Sequence, residues 1–111
     1  MIHKMKLQNL PFTCIKDGSK DIEMRLYDEK RKQINIGDII EFTNVLDDEK
    51  ISVKVVKLHI FNSFKELYDS FNKIRLGYQN NEEALPEDME QYYSKEDIKK
   101  NGVVGIEIKL I

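Results

Sequence analysis

Apolar residues recur at a period of two in five stretches of this chain and at helical spacing in three shorter ones. The period-two stretches are Ile2–Leu7, a run through Ile22, Met24 and Leu26, Asp38–Asn44, Lys50–Phe61 and Val103–Leu110, and they predict strands. In the second of them Glu23, Arg25 and Tyr27 share the face opposite the apolar set. Lys20 has the parity of the apolar residues but stands at the strand entrance, where its long stem can turn outward. In the fourth, Ile51, Val53 and Val55 alternate, and then Val56, Leu58 and Ile60 continue in the opposite phase. A flip of that kind predicts a bulge or bend.

The helical stretches carry their own punctuation. Asn9 is placed to cap a short helix with Pro11 in its first turn, with Phe12, Cys14 and Ile15 toward the core and Gly18 as its stop. Ser63 and Glu66 form a capping box ahead of an apolar stripe of Phe64, Leu67, Tyr68 and Phe71. Ser94 and Asp97 open a third helix, which Asn101-Gly102 ends. Between the last two, Gly77, Gln79-Asn80-Asn81 and Pro86 break the pattern, which predicts a loop over 73–90 with a helical turn over 86–93. A loop of that length in a compact domain points to function. The strands are mostly sequential, which favours antiparallel pairing. The predicted object is an α+β domain spanning 1–111, a curved, barrel-like sheet with helices packed across its ends.

Composition narrows the function classes. A chain of 111 residues fits one domain. Its formal net charge of −2 means that any nucleic-acid site must come from local clustering of Lys and Arg. The lone Cys14 excludes an internal disulfide and suits a reducing, cytoplasmic setting. No signal peptide pattern and no apolar run near the roughly 20 residues of a membrane span is present. His3 and His59 lack metal-ligand spacing, and there is no Gly-rich phosphate loop, zinc pattern or Ser-His-Asp cue, so neither cofactor nor metal is expected.

One motif gives the chain a family likeness. Gly18-x-Lys20-x-x-Glu23-x-Arg25, with Gly37-Asp38 downstream, resembles the signature of the ASCH domain, a branch of the PUA-like superfamily. The likeness runs from HKMKLQNLPFTCIKDG near the start to YYSKEDIKKNGVVGIEI near the end. It implies a PUA-like barrel and a family of proteins thought to bind RNA together with a few hydrolases. Among the latter, bacterial acetylcytidine amidohydrolases use a lysine, a threonine three residues later and a more distant glutamate. Lys20 matches the lysine, but Glu23 stands at the threonine position. A carboxylate cannot act as an alcohol nucleophile. Glu82, Glu83, Glu87, Glu90 and Glu96 all lie in range of the third role.

The residues themselves allow two accounts of Lys20, Glu23 and Arg25. One is a solvated strand face with cross-strand ion pairs. The other, which the resemblance favours, is a ligand cleft. There Lys20 and Arg25 would engage phosphate or carbonyl oxygen, and Glu23 would accept from a base edge or move a proton. Lys30, Arg31 and Lys32 lie beyond the strand end, within reach of a phosphate backbone. Of the adjacent Tyr92 and Tyr93, one belongs to the core and one is free to stack on a base; Tyr93 is taken as the ligand residue. The leading expectation is a monomeric binder of RNA or a nucleotide-like small molecule. The alternatives are a small amidohydrolase in which Lys20 and Glu23 are catalytic, and a protein-binding adaptor.

Overall fold

The structure, a computed structural model, describes residues 1–111. Five strands form one sheet: β1 (Ile2–Leu7), β2 (Ile22–Leu26), β3 (Ile39–Asn44), β4 (Lys50–Phe61) and β5 (Val103–Leu110), in the order β1-β3-β4-β5-β2. Three helices accompany it: α1 (Asn9–Lys16), α2 (Phe64–Ser70) and α3 (Lys95–Asn101). Single 3-10 turns cover Arg31–Gln33, Lys73–Leu76 and Pro86–Gln91. No helix is long and apolar enough to cross a membrane.

Three of the four strand pairings are antiparallel, as the sequence predicts. The fourth, β1 with β3, is parallel. Chain order misleads here because β1 and β2 are not neighbours. They occupy opposite edges of the sheet, and the crossover between β1 and β3 runs through α1 and β2. The sheet curls into a half-barrel, and its two edges come close enough for the side chain of Arg25 on β2 to reach the main-chain oxygen of Lys6 on β1 at 3.1 Å.

The phase flip in β4 is real. Its register against β5 shifts between Val55 and Lys57, the two-against-one count of a bulge. Ahead of the bulge Val53 and Val55 are fully buried inside the barrel; beyond it Leu58 packs on the same cluster, while Ile60 runs past the core and is exposed.

Apolar burial falls into two clusters. The barrel interior holds Phe12 and Ile15 of α1 against Phe42, Val53, Val104 and Ile106 of the sheet. The second lies on the other face of β2, where Ile22, Met24 and Leu26 meet Phe64, Leu67 and Tyr68 of α2 with Leu76 and Met89 of the 3-10 turns. Each such fully buried side chain contributes about 1.5–3 kcal/mol. β2 therefore has apolar burial on one face and barrel interior on the other, and charged residues on the second face must be satisfied inside the protein.

The caps follow the predicted chemistry with one exception. Ser63 accepts from the Glu66 amide and Ser94 from the Asp97 amide. At α1 the cap position is Gln8, without a side-chain bond, and Asn9 is already helical. The Asn9 side chain instead accepts from the buried Asn44 at 2.9 Å, tying α1 to the end of β3.

Candidate functional site

Lys20, Glu23 and Arg25 come together, and they do so inside the protein. Lys20 does not turn outward: its side chain is 3% exposed, and its ammonium donates to the carbonyls of Ile22 at 2.9 Å and Leu76 at 2.7 Å. The reason is the Lys73–Leu76 turn, which folds back over the strand entrance and offers a carbonyl where the sequence suggested only solvent. Gly77 closes that turn at φ +105°, and a Cβ there would sit 3.0 Å from Lys20 Cδ. Arg75 locks the turn in place: its guanidinium donates to both Asp21 oxygens, and the Asp21 amide donates back to the Arg75 carbonyl.

Glu23 lies between the two cations. One carboxylate oxygen is 3.5 Å from the Lys20 ammonium, and the other is 2.8 Å from both Nε and Nη2 of Arg25. Burial alone would raise the Glu23 carboxyl, but Arg25 and then Lys20 outweigh it and hold the group below its ordinary value. Burial pulls the Lys20 ammonium down, with Glu23 opposing. For Arg25 burial works against the charge, yet Glu23, helped by the Tyr93 hydroxyl, keeps it firmly protonated. A buried ion pair of this kind stands only while every partner is present.

Above this network opens a cleft of about 730 Å³. Lys20, Glu23, Arg25 and Arg31 all line it, and so do Tyr92 and Tyr93. Arg31 is held by Asp28, whose carboxylate takes the Arg31 Nη1 at 2.9 Å and its amide at 3.0 Å, while Arg31 Nε is buried with no partner. Lys30 is exposed and does not reach the cleft. Tyr93 serves both core and cleft, its ring stacked 6.2 Å from that of Phe64, and Tyr92 is the exposed member of the pair. Of the five glutamates considered for a catalytic role only Glu82 lines the cleft, and its carboxylate accepts from the Gln79 amide. Among the charged lining groups four cations, Lys6, Lys20, Arg25 and Arg31, face three carboxylates, Glu23, Glu82 and Asp88. The cleft is thus net positive in a chain of net charge −2.

Sequence reasoning missed Tyr68, Tyr78 and Asp88, which also line the cleft. Tyr68 was counted in the apolar stripe of α2, where its ring does pack. Tyr78 and Asp88 sit in the segment without periodicity, and an aromatic residue just past Gly77 was the available signal. Three further side chains with chemical potential are engaged within the protein. His3 pairs with Asp38 at 2.7 Å, which with the Asn35 amide pulls that carboxyl down to about 2. His59 pairs with Glu107 at 2.9 Å. Cys14 is buried and accepts from Gln79 at 3.4 Å. No group of three or more His, Cys, Asp or Glu side chains is placed to hold a metal ion.

A curled five-stranded sheet with α1 packed on its interior and α2 on its outer face, and a cleft beside β2, define the class: an α+β fold of PUA-like form. The chain belongs to the ASCH domain family, which it matches over residues 5–111. Two solved structures are similar to it over the whole of its length. One is the crystal structure of hypothetical protein PH0355, at 39% identity and a TM-score of 0.85, with all of that chain covered. The other is the solution NMR structure of protein PF0455 from Pyrococcus furiosus, at 35% identity and a TM-score of 0.78, with 98% of that chain covered. No curated protein matches the chain.

Proposed function

We propose that this ASCH domain binds RNA or a nucleotide-like ligand in the cleft beside β2. The observation that carries the reading is the convergence there of two guanidinium groups, Arg25 and Arg31, with the rings of Tyr92 and Tyr93. A planar donor fork suits phosphate and carbonyl oxygen. An exposed tyrosine ring gives a base a face to stack on. Asp28 steadies Arg31 through Nη1, which fixes the guanidinium on the cleft wall.

The division of labour differs from the one that the strand pattern suggests. The Lys20 donors are spent on two carbonyls and Glu23, and both Glu23 oxygens are engaged. These two residues form the floor that fixes Arg25, and Arg25 and Arg31 make the contact. The same arrangement argues for binding over turnover. A general base must give up its partner to take a proton, and a carboxylate held low by Arg25 is a weak base.

The test is binding of a short single-stranded RNA, measured by fluorescence anisotropy over a range of salt. Arg31→Ala should weaken it about tenfold or more, the worth of one charge-assisted bond, and should flatten the salt slope by about one phosphate contact. Unchanged affinity in Arg31→Ala and Tyr92→Ala, with the fold intact by thermal melting, would sink the reading.

A further inference from the structure

Three cleft-lining side chains outside the strand cluster form a hydrogen-bonded chain. The Tyr68 and Tyr78 hydroxyls lie 2.8 Å apart, and the Tyr78 hydroxyl lies 2.8 Å from Asp88 Oδ2. Its longer contact, 3.4 Å, is with the Leu85 carbonyl, which can only accept. The direction of the chain follows from proton counting. A carboxylate accepts only, so Tyr78 donates its one proton to Asp88. At the other contact Tyr78 must then accept, and Tyr68 donates. The Tyr68 hydroxyl is left with lone pairs and no proton to offer. Both phenols stay protonated at neutral pH: burial pushes Tyr68 up to about 12, and burial and the hydrogen bonds to Tyr68 and Asp88 push Tyr78 higher still.

The cleft is therefore divided by chain position. Residues 6–31 supply donors and positive charge, through Lys6, Arg25 and Arg31, with the Glu23 oxygens already taken. Residues 68–88 supply acceptors, through Tyr68, Asp88 and Glu82. A ligand that fits both halves carries an anionic or carbonyl oxygen at one end and an N–H donor at the other. An NH2 group meets two acceptors at once, whereas an oxo group would set lone pair against lone pair.

We infer that the acceptors of the Tyr68–Tyr78–Asp88 chain select for an NH2 group over the single ring N–H of hypoxanthine or uracil, so that the cleft takes nucleotides whose base carries an exocyclic amino group. The inference rests on the nucleotide reading above and goes beyond it by naming the class of base and the residues that read it. Calorimetric titration of the purified chain with AMP, GMP, IMP, CMP and UMP tests it. The tightest of the five should carry an amine and should exceed its amine-free counterpart, IMP or UMP, by at least about fivefold, the low end for leaving such groups unpaired. Tyr68→Phe should bring that ratio close to one while IMP and UMP bind as before. Asp88→Asn, whose amide can donate and reverse the chain so that Tyr68 offers a proton, should bring the ratio to one or below by strengthening IMP and UMP. Arg31→Ala should weaken all five together and leave the ratio intact. Binding with a smaller ratio in every pair, or a ratio that survives both Tyr68→Phe and Asp88→Asn, overturns this inference and leaves the nucleotide reading standing. No binding of any of the five or of RNA overturns both.

Discussion

Two clusters of the same residue types stand a few positions apart and meet opposite fates. Lys20 and Glu23 are enclosed by the barrel and the Lys73–Leu76 turn, their side chains 3% and 6% exposed, while Arg25, paired with Glu23, is 16% exposed at the cleft. Glu29 and Lys32, just beyond β2, are 91% and 47% exposed and sit 3.5 Å apart in solvent. Asp28 and Arg31 fall between these extremes, paired at 2.9 Å on the cleft wall. The difference teaches that an ion pair takes its meaning from its surroundings. In solvent the pair contributes little. Enclosed, each charge becomes a hostage to its partner. On the wall of a cleft, one side of the guanidinium is steadied and the other is left for a ligand.

Removing a charge from each cluster separates the three cases, and the enclosed one should break first. Glu23→Ala leaves Lys20 and Arg25 buried without their shared counter-charge. The expected cost is about 3–5 kcal/mol, a melting temperature lower by more than about 10 °C. The same group carries a pH signature. Its folded-state value lies below its unfolded value of 4.5, so it contributes stability above pH 4.5, and that stability is lost as the pH falls further. Urea titrations from pH 7 to 3 should show a steeper acid loss in the parent chain than in Glu23→Gln. Parallel curves would mean that Glu23 is not held by Arg25.

Gly77→Ala should come next, at about 1–3 kcal/mol by urea titration. It forces a side chain into the left-handed region and against Lys20. A neutral result would remove the turn from the account of why Lys20 is buried. Arg31→Ala should move stability by less than about 1 kcal/mol while lowering ligand affinity as above. The reverse pattern would place Arg31 among the structural residues. Lys32→Ala is expected to leave both the melting temperature and the affinity within error, and any clear loss of affinity would extend the contact surface beyond the cleft.

The strands, the β4 bulge and the Ser63 and Ser94 caps were legible in the sequence because each rests on neighbours in the chain. Period-two burial of Ile22, Met24 and Leu26 needs no knowledge of what covers them. The parallel pairing of β1 with β3 was not legible, since it depends on which strand ends at which sheet edge. For the site, the trio itself could be read from residue type and spacing. The inward path of Lys20 could not, because the shorter of its two carbonyl contacts is to Leu76, 56 residues further on. Tyr78 and Asp88 were hidden for the same reason. Their segment has no period, and it is ordered by contacts with distant parts of the chain, such as Arg75 with Asp21 and Gln79 with Cys14.

The most direct test of the cleft is a two-dimensional amide NMR titration of the labelled chain with a short single-stranded RNA and with AMP. Binding as proposed shifts the amides of Met24, Arg25, Arg31, Tyr92 and Tyr93 together, along one saturating curve. Shifts confined to Lys30, Lys32 and other exposed lysines, or no saturating shifts at all, would contradict it.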